Sequence, residues 1–343
     1  MTQKTKILLI YTGGTIGMVK DYDTGALIPL DFDNLYKNIP ELQQIDCEIE
    51  TISFDVPIDS SNMNTSYYKK IIAILTDNYK NKDGFVILTG SDTMSYVASA
   101  ISFMIENLKK PIVFTGSQLP IGDLRTDAKE NLITAIQIAA SKNEDNKPVV
   151  TEVCLYFEYK LYRANRTTKV NAEQFEAFTS PNYPPIGESG VHLKFYKPFL
   201  LKPNYHLETR FHTASCHNIA VLKLFPGITK EAITAILNTE GLKAVIMETY
   251  GAGNAPTNFW FLRKLENAIK NKIHIINVSQ CIGGGVIMGQ YETSIQLKNI
   301  GVISGKDITT EAAIAKLMYL LAKKTDPYKF KSIFETPIRG ELT

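Results

Sequence analysis

Residues 6–17 of the chain read KILLIYTGGTIG, a short apolar run that ends abruptly in a glycine-rich turn. An apolar run of this length, rich in isoleucine and bounded by glycine, is typical of a buried β-strand. The paired glycines then allow the backbone to turn sharply and to approach a bound molecule closely. Thr12 and Thr15 place a hydroxyl on either side of that pair. Open α/β sheets carry their chemistry at the carboxyl ends of parallel strands, so we predict a functional turn with Thr15 as the nucleophile.

The same arrangement recurs further along the chain. A second apolar strand, 85–88, ends in the motif TGSDT and precedes a helical pattern, and a third strand, 112–118, contains TGS. Ser91, Asp92 and Thr93 are also good N-cap residues, so helix capping alone is the alternative interpretation. Several strands of one βα series thus end in glycine and hydroxyl residues, which favours a site that these strand ends share.

Strands alternate with helices along most of the chain, which favours parallel sheets with right-handed crossovers. The segment 18–30 is polar and contains glycine and proline, which indicates a loop that could fold over a substrate. The predicted strands are 6–11, 47–56, 85–88, 112–118, 149–157, 219–225, 244–249 and 273–278. The predicted helices are 65–80, 94–108, 127–141, 229–238, 257–270 and 309–323, with partial helix in 31–46.

A chain of 343 residues exceeds what one hydrophobic core usually holds, so two domains are expected. Residues 191–215 mix prolines, charges and aromatic side chains without a clean period, which indicates a linker. We therefore predict an α/β catalytic domain over 1–190 and a second α/β domain over 216–343.

Composition excludes several classes of protein. The chain is 44% hydrophobic and 21% charged with a net charge of +2, which is ordinary for a globular protein and too small to indicate a nucleic-acid partner. No apolar window approaches the ~20 residues of a membrane span, and the N-terminus has no signal peptide. The four cysteines are far apart in sequence and are expected to be free thiols. We expect a cytoplasmic protein with no membrane partner.

Common cofactor motifs do not fit. TGGTIG matches neither the dinucleotide fingerprint nor the P-loop, and the chain has no G-x-S-x-G elbow. His206, His212, Cys216 and His217 are close in sequence, but their spacing matches no zinc pattern, so no metal is expected.

A site built from hydroxyls and a lysine remains. A threonine hydroxyl needs a base to act as a nucleophile, and serine or threonine with lysine, oriented by a carboxylate, is a known variant of triad chemistry. Ser91, Asp92 and Lys169 supply that set if the fold brings Lys169 to the other two. A lysine in a desolvated pocket can lose its proton near neutral pH. Glycine-rich turns leave backbone N–H groups free to hold an oxyanion.

The motifs resemble those of the bacterial-type L-asparaginases. TGGTIG near the start, TGSDTM at 89–94 and NRTTK at 165–169 carry the resemblance, and they occur in family order from Lys6 to the C-terminus. The phrases DSSNM, FTGSQLP, FTSPN, YGAGNAP and the ending RGELT are similar to the intracellular, type I branch.

The resemblance implies hydrolysis of L-asparagine to L-aspartate and ammonia through an acyl-enzyme on Thr15, without a metal or organic cofactor. It implies a larger Rossmann-like N-terminal domain and a smaller flavodoxin-like C-terminal domain, each with a mainly parallel sheet flanked by helices. It also implies a homodimer or homotetramer, with Asn254 reaching a neighbour's site. The implied catalytic residues are Thr15, Ser91, Asp92 and Lys169, and the implied substrate-binding residues are Gly14, Asp59, Ser60, Ser61, Ser91 and Asp92.

The chain departs from the family pattern around the nucleophile. Ser91 stands where threonine is usual, so the methyl group that restrains the rotamer is missing. Thr89 stands where histidine is usual. The family's flexible-loop tyrosine aligns with Ala26 and Leu27, which leaves Tyr22 as its candidate replacement.

A second departure concerns the activating asparagine site of some type I enzymes. The matching region includes Asn254, Ser279 and Cys281, but Glu248 stands where an arginine would bind the effector carboxylate. This substitution argues against allosteric activation.

Other functions are carried as alternatives. Glutamine is one methylene longer than asparagine, and one methylene changes selectivity by only ~1–3 kcal/mol. A glutaminase-asparaginase of broader specificity is therefore an alternative function. A relative acting on glutaminyl-tRNA is expected to carry an extra N-terminal domain, whereas the opening motif begins here at Thr12. A non-catalytic amino-acid sensor is a third alternative, but binding alone does not need a lysine–serine pair.

Overall fold

The computed structural model describes residues 4–20, 27–29, 39–290 and 292–343. The chain divides into two compact units, Met1–Thr213 and Ala214–Thr343. Each unit has its own main sheet and its own hydrophobic core. This two-domain α/β architecture confirms the predicted fold class.

The first unit is built on an eight-stranded sheet. The strands of this unit are β1 (Thr5–Gly13), β2 (Met18–Lys20), β3 (Leu27–Pro29), β4 (Cys47–Ile58), β5 (Gly84–Leu88), β6 (Ile105–Glu106), β7 (Ile112–Thr115), β8 (Val153–Phe157), β9 (Lys160–Arg163), β10 (Thr168–Lys169), β11 (Phe178–Thr179), β12 (Gly187–Ser189), β13 (Leu193–Phe195) and β14 (Arg210–Phe211). Within its described residues, the α-helices are α1 (Thr65–Asn78), α2 (Met94–Met104) and α3 (Ala128–Ala140).

The order across the large sheet is β13-β12-β9-β8-β7-β5-β1-β4. Strands β4, β1, β5, β7 and β8 run parallel, and β9, β12 and β13 add antiparallel pairs at one side. Every residue of β5 is buried, as expected for a central strand covered on both faces. The parallel strands therefore direct their carboxyl ends, and the turns that follow them, to one edge.

The antiparallel side of the sheet is absent from the sequence prediction. Glu158 and Tyr159 connect β8 to β9 with φ values of 43° and 68°, so the chain reverses in a two-residue turn. Such turns usually contain glycine or asparagine, and neither residue is present to mark this one. Among the described residues, this unit also contains the two-stranded antiparallel ladders β2–β3, β6–β14 and β10–β11.

The second unit carries a four-stranded parallel sheet in the order β15-β16-β17-β18. Its strands are β15 (Ile219–Lys223), β16 (Ala244–Thr249), β17 (His274–Ser279) and β18 (Ile303–Ser304). Its helices are α4 (Lys230–Leu237), α5 (Phe259–Lys270), α6 (Glu292–Asn299), α7 (Thr310–Ala322) and α8 (Pro327–Phe334). The sequence prediction matches β16 and misses β18, α6 and α8.

The segment 191–215, predicted as a linker, contributes structure to the first unit. Leu193–Phe195 extends the large sheet as β13, and Arg210–Phe211 pairs with β6 as β14. The two units divide between Thr213 and Ala214. Strands of two or three residues are too short to produce a period in the sequence, which is why the segment resembled a linker.

The segment 18–30, predicted as a loop, contains two short strands. Residues 18–20 and 27–29 form the antiparallel ladder of β2 with β3, and residues 21–26 and 30 lie outside the described residues. Of the partly helical stretch 31–46, the described part contains a 3-10 turn at Pro40–Gln44.

Within the described ranges, no helix combines the length and the apolarity that crossing a bilayer requires. The four cysteines, all of which are described, are free thiols.

Candidate active site

Four neighbouring parallel strands deliver the candidate residues to one edge of the large sheet. The strands lie in the order β7-β5-β1-β4, and each ends in a short turn with hydroxyl or amide side chains. Thr15 follows β1, Ser60 and Ser61 follow β4, Ser91 and Asp92 follow β5, and Gln118 follows β7.

The glycine pair after β1 makes two close backbone contacts. Gly13 has a φ of 133°, and a Cβ atom there would lie 2.1 Å from the carbonyl oxygen of Ile58 at the end of β4. Gly14 has a φ of 89°, and a Cβ atom there would lie 2.3 Å from the backbone nitrogen of Gly90 after β5. Because any side chain would collide at either position, the turn that holds Thr15 can pack directly on its two neighbours only with glycine.

The two threonines of the opening turn differ in their surroundings. Thr12 is fully buried, and its Oγ1 donates a hydrogen bond of 3.0 Å to the carbonyl oxygen of Leu88. Thr15 is half-buried and lies in the 3-10 turn Thr15–Gly17. The Thr12 hydroxyl therefore joins two strands, whereas Thr15 keeps part of its surface accessible.

The Tyr11 hydroxyl contacts the backbone of the turn. Its hydroxyl lies 3.3 Å from the carbonyl oxygen of Gly14 and 3.3 Å from that of Gly17, and it can donate to either. Burial raises the pKa of Tyr11 to about 12, so the phenol stays protonated and remains a donor at neutral pH.

Lys169 contacts Ser91 and Asp92, which is the arrangement that the predicted lysine-assisted site needs. Its Nζ donates to Ser91 Oγ and to Asp92 Oδ1, each at 2.8 Å. The Lys169 side chain is 16% exposed, whereas that of Asp92 is 69% exposed. The Lys169 side chain is thus largely removed from solvent, whereas the Asp92 carboxylate keeps an open face.

The turn after β4 is tied to the turn after β5. Ser60 is buried, and a Cβ atom on Gly90 would lie 2.5 Å from Ser60 Oγ. The Thr93 hydroxyl donates to the carbonyl oxygen of Ser60 at 2.9 Å. The Asp59 carboxylate accepts from the backbone N–H of Ser61 at 2.8 Å, and this hydrogen bond lowers the pKa of Asp59. Asp59 therefore stays ionised and orders the turn, while Ser61 is exposed.

Capping alone does not explain the residues after β5. Thr93 occupies the N-cap position of α2, but its hydroxyl donates to the Ser60 carbonyl, and the Asp92 carboxylate accepts from Lys169. After β4, by contrast, Asn64 caps α1 by accepting from the backbone N–H of Ser66.

Sequence reasoning did not single out Gln118. Its Oε1 accepts from Ser91 Oγ at 3.3 Å, and its Nε2 donates to the carbonyl oxygens of Ala172 and Gln174 at 3.2 and 2.9 Å. The available signal was positional, because Gln118 follows a TGS strand end of the same type as the one that carries Ser91.

The candidate effector residues lie at the carboxyl ends of β16 and β17 in the second unit. The Glu248 carboxylate accepts from Thr310 Oγ1 at 2.8 Å and lies 3.7 Å from the Nζ of Lys223. Its side chain is only 15% exposed. Glu248 is therefore already paired with a cation and hydrogen-bonded within its own unit.

The other candidate effector residues also have local partners. Ser279 Oγ donates to the carbonyl oxygen of Gly251 at 2.7 Å and accepts from the backbone N–H of Cys281 at 3.0 Å. Asn254 Oδ1 accepts from Thr293 Oγ1 at 2.7 Å. These side chains order the loops that carry them.

Two groups of predicted residues need separate mention. Tyr22 and Ala26 lie outside the described residues, and Leu27 is described only as part of β3. In the described part of the chain, no three His, Cys, Asp or Glu side chains converge as metal ligands.

The chemical capacity of this edge follows from the groups that meet there. A hydroxyl in contact with an amine can exchange a proton with it, and a carboxylate on the same amine orients the pair. A half-buried threonine hydroxyl lies on a neighbouring turn, and a hydroxyl group can act as a nucleophile where a base activates it. The arrangement is suited to acyl transfer.

Comparison with known proteins agrees with this chemistry. The family model "Asparaginase, N-terminal" matches residues 6–200, and the model "Glutaminase/Asparaginase C-terminal domain" matches residues 218–334. L-asparaginase 1 of Escherichia coli (strain K12) is 40% identical over 342 residues, which cover 99% of both chains. The D component of the glutamyl-tRNA(Gln) amidotransferase of Methanobrevibacter smithii is 32% identical, over 99% of this chain and 77% of that protein.

A solved structure gives the same result in three dimensions. The crystal structure of L-asparaginase I from Vibrio cholerae superposes with a TM-score of 0.89 at 37% identity, covering 99% of this chain and 100% of that chain. The two family models, the relative that matches over the full length and the solved structure all indicate the same family, so the predicted family is confirmed. The chain belongs to the asparaginase family of amidohydrolases.

Proposed function

We propose that the protein hydrolyses L-asparagine to L-aspartate and ammonia through an acyl-enzyme on Thr15. The observation that carries the proposal is the contact of Lys169 Nζ with both Ser91 Oγ and Asp92 Oδ1 at 2.8 Å, at the same sheet edge as the Thr15 turn. A relative that is 40% identical over the full length and carries the name L-asparaginase 1 supports the choice of substrate.

The first half of the reaction forms an ester. Thr15 Oγ1 attacks the side-chain amide carbon of asparagine and loses its proton, and the bond from that carbon to the amide nitrogen breaks. The leaving nitrogen takes up a proton and departs as ammonia, which leaves an aspartyl ester on Thr15. Backbone N–H groups of the glycine turns stabilise the oxyanion of the tetrahedral intermediate.

The second half returns the enzyme. Water attacks the ester carbon, a proton passes to the base, and the bond to Thr15 Oγ1 breaks with return of a proton to that oxygen. We assign Lys169 as the base and Ser91 as the hydroxyl through which the proton passes. The distance of 2.8 Å between Lys169 Nζ and Ser91 Oγ supports the assignment, since a base must lie within hydrogen-bond reach of the proton it takes.

The α-amino acid group of the substrate requires its own contacts. Asp92 keeps an exposed carboxylate face that suits the α-ammonium group. Ser60, Ser61 and the backbone of Gly14 lie on the adjoining turns and suit the α-carboxylate. Asp59 acts indirectly, by ordering the turn through the backbone N–H of Ser61.

The active form is proposed to be a homodimer or homotetramer in which Asn254 reaches a neighbouring subunit's site. The family resemblance is the support for this assignment. Light scattering on the purified protein tests it, with a monomer as the contradicting result.

A second candidate function is a glutaminase-asparaginase of broader specificity. The name of the matched C-terminal family model includes glutaminase, and an extra methylene is a small barrier to selectivity. Ammonia release measured on asparagine and on glutamine across a concentration range separates the two functions. We expect a higher kcat/KM for asparagine. Equal values would favour the broader enzyme, and no release from either amide would contradict both.

A further inference from the structure

The Gln118 side chain connects the two loops that supply Ser91 and Lys169. Its Oε1 accepts from Ser91 Oγ after β5, and its Nε2 donates to the carbonyl oxygens of Ala172 and Gln174, a few residues beyond Lys169. The contact with Ser91 is 3.3 Å, which is long for a hydroxyl donor, and such bonds often tighten only when substrate is bound.

The orientation of the Gln118 amide is determined by its partners. The amide nitrogen has two carbonyl acceptors, so a flipped amide would place Oε1 against two other oxygens. The backbone is held as well, since the Asp127 carboxylate accepts from the N–H groups of Gln118 and Leu119 at 2.9 and 3.1 Å. Gln118 therefore presents a fixed acceptor to Ser91.

Ser91 needs such an acceptor. A serine has no β-methyl group to limit χ1, so its hydroxyl can adopt any staggered rotamer. In the resting site Lys169 donates to Ser91 Oγ, so the hydroxyl proton of Ser91 must point to a different acceptor. Gln118 Oε1 is the acceptor that Ser91 Oγ contacts.

We infer that Gln118 is a positioning residue that holds the Ser91 hydroxyl in the rotamer from which it exchanges a proton with Lys169. The inference rests on the proposed function. It assigns to Gln118 the restraint that a β-branched residue at position 91 would supply by itself. Gln118 acts through Ser91, so its loss lowers kcat and leaves KM nearly unchanged.

The test is a double-mutant cycle on purified full-length protein with asparagine as substrate. Gln118→Met keeps the length of the side chain and removes both the acceptor for Ser91 and the donor to Ala172 and Gln174, and Gln118→Asn keeps the amide but withdraws it from Ser91. Each is expected to lower kcat by about 3- to 10-fold, the usual range for one neutral hydrogen bond. In a Ser91→Thr background, whose own rate is the reference, the loss from Gln118→Met is expected to shrink to less than about 2-fold.

The exposed residue Gln137 provides a matched control, since Gln137→Met makes the same chemical change on α3. An equal loss of kcat in the serine and threonine backgrounds would overturn the inference, as would a Gln118→Met enzyme with wild-type kcat or a change confined to KM. Wild-type protein that releases no ammonia from asparagine would instead contradict the proposed function, so the two failures are distinguishable.

Discussion

In both main sheets, loops follow the carboxyl ends of parallel strands at one edge, but the residues on those loops differ in their chemistry. At the first, Lys169 of β10 bonds to both Ser91 and Asp92 in the turn after β5, at the same edge as a half-buried threonine. At the second, Glu248 and Ser279 bond to partners that hold their own unit together. The carboxyl edge of a parallel sheet thus provides a place where loops converge, and the residues on those loops decide whether the place is reactive.

Loss of the proposed nucleophile, Thr15, is the largest effect expected at the first edge. Thr15→Ala removes only a hydroxyl and a methyl group from a half-buried position, so the protein should fold normally. Ammonia release from asparagine should fall by at least ~10³-fold, as for other nucleophile deletions. Steady-state kinetics and a thermal melt measure both quantities.

Thr12→Ala is the matched control for this change. It removes a buried hydroxyl that donates to Leu88, so it should cost stability, about 1–3 kcal/mol, because the carbonyl loses a buried partner. A Thr15→Ala enzyme with unaltered turnover would remove Thr15 as the nucleophile.

Removal of the lysine is expected to have the next largest effect. Lys169→Met keeps most of the apolar stem and deletes the amine that contacts Ser91 and Asp92. The rate should fall by ~10²- to 10⁴-fold, the range for loss of a general base. The exposed Lys194 of β13 allows a matched Lys194→Met control with normal turnover. A Lys169→Met enzyme with normal turnover at pH 7 would contradict the assignment of Lys169 as the base.

Close packing of the turns is tested by Gly14→Ala. The new Cβ would lie 2.3 Å from the Gly90 nitrogen at a φ of 89°, so we expect a loss of about 1–3 kcal/mol in stability together with reduced activity. A Cβ added to Gly283 in the second unit would meet open space, and the φ of Gly283 is not positive, so Gly283→Ala should be nearly neutral. Equal effects of the two substitutions in chemical denaturation would contradict the packing argument.

The smallest expected effect concerns the second edge. Glu248 stands where the family resemblance expects an effector-binding arginine, and its carboxylate is engaged by Thr310 and Lys223. The rate against asparagine concentration should therefore be hyperbolic, with a Hill coefficient of about 1. A clearly sigmoidal curve would mean that the second edge does bind an activating ligand.

Sequence reasoning reached the parallel strands and the first edge because both have local signals. Apolar runs followed by glycine and hydroxyl residues predict β1, β5 and β7 together with the turns after them. Lys169 has no such local signal. Its place beside Ser91 was predicted on the condition that the fold brings Lys169 to Ser91 and Asp92, and from the family resemblance. The distance of 2.8 Å between Lys169 Nζ and Ser91 Oγ satisfies that condition.

The missed features depend on tertiary structure or on atypical turn residues. Glu158 and Tyr159 adopt positive φ values without glycine or asparagine, so the reversal into β9 had no signature. The contact of Gln118 with Ser91 joins residues 27 positions apart and arises only when β5 and β7 lie side by side.

The central claim, an acyl-enzyme on Thr15, is tested most directly by mass spectrometry of enzyme quenched in acid during turnover of asparagine. We predict an aspartyl adduct on the peptide that contains Thr15 and its absence from the Thr15→Ala protein. An adduct on any other residue would contradict the account.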